Sequence, residues 1–127
     1  MTEKLQIYKC DICGNVVQVL LPGNGNLVCC GEEMKLLEIQ HDEVSELGEK
    51  HNPIIQKNET ETFINVNKHP MTSEHYIQFI QAQSKDKNEI YLKYFYPNER
   101  PEINITRFSK DVNAIEYCNI HQLWGNI

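Results

Sequence analysis

Apolar and polar positions are arranged differently on the two sides of residue 37. Before it, apolar residues come in short groups: Leu5 and Ile7, then Val16, Val17 and Val19 to Leu21. Such groups predict short strands, and Pro22-Gly23-Asn24-Gly25-Asn26 predicts a turn after them. From Glu49 onward the two classes alternate with period two. Residues 63–66, 76–80 and 90–96 read as strands, and 103–106 and 114–117 as two more. Asn58-Glu59-Thr60, Lys85 to Asn88 and Pro97 to Pro101 are the connections. Residues 38–48 are polar and acidic and read as a linker with a short helical turn. No long helical period and no internal repeat occurs. The expectation is an all-β chain: a small domain over 1–37, a linker over 38–48, and a sandwich or barrel over 49–127.

Composition narrows what such a chain can do. The net charge is −6, from 12 basic against 18 acidic residues, and no Lys/Arg cluster interrupts it. Nucleic acid is therefore not expected as a partner. A small anionic substrate would need positive charge placed locally. No apolar run approaches the roughly 20 residues of a membrane helix, so no membrane association is expected. Met1 to Leu5 includes Glu3 and Lys4 and lacks a secretory apolar core, which points to the cytoplasm. The five cysteines are an odd number, which suits metal ligation in a reducing compartment better than a disulfide scaffold.

The cysteines and all but one of the histidines fall into two sets. Cys10-Asp11-Ile12-Cys13-Gly14 is a metal knuckle, and Cys29-Cys30 follows it. Four thiolates close a tetrahedral site around zinc or iron. Adjacent cysteines point apart, so both reach one metal only if the backbone between them is distorted. A domain of this size buries little apolar surface, and a bound metal would staple it. The second set is His51, His69, His75, Cys118 and His121. One such histidine would ordinarily be a packed or solvated residue. Four of them with a lone cysteine in one small β domain point to a metal, and five ligands leave an octahedral position open. His41, in the acidic stretch, has no partner spacing and reads as solvated.

These motifs resemble a known family. Glu49-Lys50-His51, His69-Pro70-Met71 with His75-Tyr76-Ile77, and Glu116-Tyr117-Cys118-Asn119-Ile120-His121 resemble desulfoferrodoxin, the two-iron class of superoxide reductase. The cysteine knuckle with Cys29-Cys30 resembles its desulforedoxin-like domain. The resemblance implies one iron held by Cys10, Cys13, Cys29 and Cys30. It implies a second iron, with four equatorial histidines and axial Cys118, in an immunoglobulin-like domain. The implied activity is one-electron reduction of superoxide to hydrogen peroxide, with a rubredoxin-like donor and a homodimeric protein. Lys50 would attract superoxide and orient a proton-donating water, and Glu49 would occupy the vacant position in the oxidised state. The chain departs from the family at Gln122, often glycine, and at Asn52, often apolar.

Two other readings stay open at this level. A superoxide dismutase would cycle its metal both ways and evolve oxygen. A metal-binding or electron-transfer module with zinc in both sites would be colourless. A non-haem oxygenase would use two histidines and a carboxylate, which this ligand set does not match.

Overall fold

The structure is a computed structural model that describes residues 1–106, 108 and 111–126; Ile127, the end of the expected second domain, lies outside them. The chain divides into two compact units, Met1–Glu38 and Ile39–Ile127.

The first unit is a three-stranded antiparallel sheet and a hairpin. Strands β1 (Ile7–Lys9), β2 (Val16–Gln18) and β5 (Lys35–Leu36) lie in the order β2-β1-β5. Strands β3 (Val28–Cys29) and β4 (Glu32–Glu33) pair with each other. Its core is small: Leu5, Ile7, Cys10, Val19 and Leu37 are buried, while Ile12, Leu20, Leu21 and Val28 are exposed. The expected strand through Leu21 ends at Gln18. Beyond it the Val19 N–H bonds the Gln6 carbonyl and the chain bends toward the Pro22-Gly23 turn. With so few buried side chains, crosslinking by a metal is what this unit needs to stay folded.

The second unit is a β-sandwich. One sheet contains β6 (Ile54–Lys57), β7 (Thr62–Asn65) and β10 (Glu102–Asn104) in the order β10-β7-β6. The other contains β8 (Ile77–Ser84), β9 (Ile90–Tyr94), β11 (Val112–Cys118) and β12 (Gln122–Gly125) in the order β12-β11-β8-β9. All these pairings are antiparallel. Ile64 and Ile103 from the first sheet meet Ile77, Ile80, Ala82, Val112 and Ala114 from the second, and Cys118 lies in the same cluster. Alternation thus sends one side of each strand inward and builds the core. The all-β expectation holds, and the only helix among the described residues is α1 (Glu46–His51). None there is long and apolar enough to cross a membrane.

In the second unit two strands escaped the sequence reading and a third ran longer than expected, while in the first unit β3, β4 and β5 were also unread. Strand β6 is short and largely exposed, so no inward face marks it. Strand β12 starts directly after His121, where the ligand motif dominates. Strand β8 continues through Gln81 and Gln83, whose polarity hides the strand although both are buried, with Gln83 Nε2 donating to Gln81 Oε1 at 2.8 Å.

Residues 39–48 are tied into the second unit. Gln40 forms a parallel bridge with Trp124: its N–H donates to the Leu123 carbonyl at 3.0 Å, and the Gly125 N–H donates to its carbonyl at 2.9 Å. Ser45 caps α1, its Oγ accepting the Gly48 N–H at 3.0 Å. Asn52 clamps Asp42 from the other end: its Nδ2 donates to the Asp42 carbonyl at 2.6 Å and its Oδ1 accepts the Asp42 N–H at 3.3 Å. An apolar residue at position 52 could not make this clamp. Gly48 is obligatory here, because a Cβ would stand 1.8 Å from the Asp42 carbonyl oxygen.

Elsewhere in a helix, Gly→Ala stabilises by up to about 1 kcal/mol. Gly48→Ala is expected to destabilise instead, lowering the urea midpoint of the second unit as followed by the fluorescence of Trp124.

Candidate metal centres

The first centre is made by two turns. After β1 the Gly14 N–H bonds the Cys10 carbonyl at 2.9 Å, Gly14 takes φ +84, and the Cys13 N–H points at Cys10 Sγ at 3.5 Å. After β3, Cys30 and Gly31 both adopt left-handed backbone, φ +54 and +78. This is the distortion that adjacent cysteines require, and it costs strain at a non-glycine residue. As a result the four sulfurs lie within 4.8 Å of one another. Such crowding opposes full ionisation. Hydrogen bonding, chiefly from the Cys13 N–H, brings the Cys10 thiol down to about 7. The neighbouring thiols, Cys13 foremost, push Cys29 up to about 12. A cation among them removes that conflict. Cys10 is buried, while Cys13 and Cys30 face solvent.

The second centre draws on four segments. His51 ends α1, His69 and His75 flank the turn before β8, Cys118 ends β11, and His121 closes the loop before β12. Ligand atoms of His51, His69, His75 and Cys118 lie within 4.8 Å of one another. His121 stands at the rim, with its Nδ1 4.0 Å from Cys118 Sγ. The imidazoles form a ring. Successive centroids are 4.6 Å apart for His51–His69, 4.5 Å for His69–His75, 5.3 Å for His75–His121 and 4.8 Å for His121–His51. Each successive pair meets edge to face. His51 and His75, across the ring, are 6.3 Å apart.

Hydrogen bonds decide which nitrogens face inward. His51 Nδ1 lies 2.7 Å from the Leu47 carbonyl and His69 Nδ1 lies 2.6 Å from the Pro70 carbonyl. A carbonyl only accepts, so each Nδ1 carries the proton and each Nε2 keeps a bare lone pair. The Nε2 atoms of His51, His69 and His75 are buried with no hydrogen-bond partner. Three buried, unpartnered lone pairs beside a sulfur are costly as they stand, and a metal ion satisfies them. Burial lowers the pKa of His51 and His75 and brings His69 down to about 4. The rings are thus neutral and ready to ligate at pH 7. Burial raises the Cys118 thiol, while the backbone N–H groups of His121 and Ile120 pull it back. The His121 N–H lies 3.4 Å from Cys118 Sγ.

Asn119 fastens the two ligand loops together. Its Oδ1 accepts the Tyr76 N–H at 2.9 Å, its Nδ2 donates to the Glu74 carbonyl at 2.9 Å, and its N–H donates to the Tyr76 carbonyl at 3.2 Å. Gln122 takes φ +64, a left-handed turn that glycine adopts without strain.

Comparison with known proteins agrees with these two centres. The family profile "Desulfoferrodoxin, N-terminal domain" matches residues 2–37, and "Desulfoferrodoxin" matches residues 43–127. The chain belongs to the desulfoferrodoxin family. A desulfoferrodoxin homolog of Archaeoglobus fulgidus is 41% identical over 126 residues, covering 98% of each chain. The fold is similar to that of the superoxide reductase from Treponema pallidum, with TM-score 0.71, 23% identity and full coverage of both chains. A variant of the superoxide reductase (neelaredoxin) of Ignicoccus hospitalis is 26% identical with TM-score 0.52, covering 66% of this chain and 82% of that one. Desulfoferrodoxins carry two irons, and the four-sulfur and four-imidazole, one-sulfur clusters are where this chain holds them.

The other expected residues, Glu49 and Lys50, precede His51 in α1. Lys50 immediately precedes His51, and its Nζ is 3.2 Å from Glu46 Oε1. Glu49 Oε1 pairs with Lys68 Nζ at 2.9 Å. Hydrogen bonding and charge from Lys68, with a smaller contribution from Lys50, hold the Glu49 carboxyl below its usual range. His41 belongs to neither cluster; its Nδ1 lies 2.7 Å from the Gly125 carbonyl. Three residues were given no role in the sequence reading. Trp124 stacks on His51 at 4.9 Å and 26°. Gln40 reaches the His121 carbonyl. Glu116 is fully buried, its oxygens have no partner among the described residues, and burial pushes its carboxyl well above the usual carboxylate range. Only the aromatic character of Trp124 offered a sequence signal.

Between pH 6.5 and about 4, unfolded chain protonates His69 and folded chain does not. Stability contributed by this group is therefore lost as pH falls through that window, by about 3 kcal/mol at its lower end. Metal-depleted protein should show a falling urea midpoint over this range, and His69→Gln should flatten the dependence.

Proposed function

We propose that this chain is a superoxide reductase, an enzyme that converts superoxide to hydrogen peroxide with one electron and two protons. The supporting observation is the ring of four imidazoles around a buried thiolate, three of them with inward lone pairs that nothing else satisfies. Family membership points the same way, as does the likeness to the Ignicoccus hospitalis superoxide reductase. Iron bound in the ring supplies a one-electron couple and a coordination position that the five ligands leave free.

The residues around it have separable tasks. Lys50 brings positive charge to an acidic protein, drawing in the anion and orienting a water that gives it a proton. Its charge is among the influences that disfavour protonation of His51 and His75, after burial and the neighbouring rings. Glu49, paired here with Lys68, is the carboxylate that would occupy the free position of a bound iron in the oxidised state. Cys118 would supply electron density to a bound iron, and the His121 N–H, 3.4 Å from its sulfur, would temper that donation. Residues 1–37 form the domain of the four-sulfur iron, a one-electron carrier by its chemistry. Residues 49–127 form the catalytic domain.

The surroundings follow from the same reading. The external donor is a small rubredoxin-like protein. The exposed Ile12, Leu20, Leu21 and Val28 of the first unit favour a homodimer that covers them. Cysteines gathered into metal sets favour the reducing cytoplasm, where the enzyme removes superoxide.

In a superoxide flux with a reductant, the protein should yield peroxide without oxygen; oxygen evolution would mark a dismutase. Lys50→Ala should slow the second-order rate on the order of tenfold or more and flatten its ionic-strength dependence; an unchanged rate removes Lys50 from the reaction. Cys118→Ser should abolish the sulfur-to-iron absorption of the second centre alone.

A further inference from the structure

His121 is the most weakly enclosed of the five ligands. It is half-buried, it stands outside the 4.8 Å group formed by the other four, and its loop is followed by the left-handed Gln122. Yet its backbone is held from two sides. Trp124 Nε1–H donates to the His121 carbonyl at 3.0 Å, and Gln40 Nε2 donates to the same oxygen at 2.8 Å. Gln40 Nε2 also lies 3.2 Å from the Leu123 carbonyl.

The donors are themselves fixed. Trp124 is 3% exposed, pairs across β11 with Glu116, and bridges Gln40 through the backbone. The indole face meanwhile stacks on His51 at 4.9 Å. A single side chain therefore touches the ligand at the end of α1 and the ligand at the end of the Cys118-to-His121 loop. These two rings are neighbours in the ring of four, 4.8 Å apart.

We propose that Trp124 and Gln40 are positioning residues of the second centre, holding His121 against the other four ligands through its carbonyl oxygen. Trp124 additionally sets the plane of His51. Groups behind the ligands matter because a five-ligand site binds tightly only when every ligand is already in place; losing such a group typically costs 10- to 100-fold in metal affinity. This inference rests on reading the cluster as a metal site and is independent of the reaction run there.

The oxidised two-iron protein, challenged with excess EDTA, tests it through loss of the sulfur-to-iron absorption of each centre. Trp124→Phe removes the N–H donor and keeps a ring over His51; Gln40→Ala removes the other donor from an exposed position. Each should accelerate iron loss from the second centre roughly 10- to 100-fold, with the four-sulfur centre of the same molecule releasing at the wild-type rate. The double variant should depart from the product of the two single effects, because both donors serve one oxygen. Wild-type release from the second centre in both single variants would overturn the proposal, as would equal acceleration at both centres. Superoxide turnover is a separate measurement: its absence in wild-type protein would refute the reaction while the release rates still decide the positioning role.

Discussion

Two hydrogen bonds to backbone carbonyls, from His51 to Leu47 and from His69 to Pro70, determine what the second cluster can be. They place protons on the outer nitrogens and leave the inner ones bare. Without them, buried imidazoles could turn over or donate to one another, and the cluster would be an ordinary polar patch. With them, the sandwich encloses lone pairs that only a cation can satisfy. Each bond is local: Leu47 is one turn upstream in α1 and Pro70 is the next residue. The tautomers are thus fixed by short-range geometry and do not depend on distant packing.

The rest of the second unit serves to bring those segments together. Strand β11 delivers Cys118 from inside the sandwich, Asn119 joins its loop to the turn holding His75, and the Asp42–Asn52 clamp holds α1. The first unit works differently. Its core is too small to impose geometry on the cysteines, so strained backbone at Cys30 brings adjacent sulfurs to one point. One centre is thus shaped by a preformed scaffold, whereas the other takes part in forming its own.

Much of this was legible in the chain. Ligand identities could be read because cysteine and histidine are uncommon and their spacings are chemically restrictive. The strands over 63–66, 76–80 and 114–117 could be read because their alternation reflects a real inner and outer face. What could not be read depends on tertiary contact. Gln81 and Gln83 look like surface residues, yet both are buried, with Gln83 donating to Gln81. Gln40 lies in an acidic stretch that reads as a tether, and only the fold reveals its bond to a carbonyl 81 positions away. Trp124 looks like core, and nothing in its neighbours discloses which ring it faces.

The parallel bridge between Gln40 and Trp124 also bears on how this protein can be cut. A fragment begun at residue 49, where the alternating pattern starts, or at residue 43, where the family profile resumes, would discard the strand-like stretch lying alongside β12. Trimming at the contact-defined seam before Ile39 keeps it. Single-iron fragments prepared with the two kinds of boundary are therefore different objects, and a deficiency in the shorter ones would reflect the excised edge before it reflected loss of the four-sulfur iron.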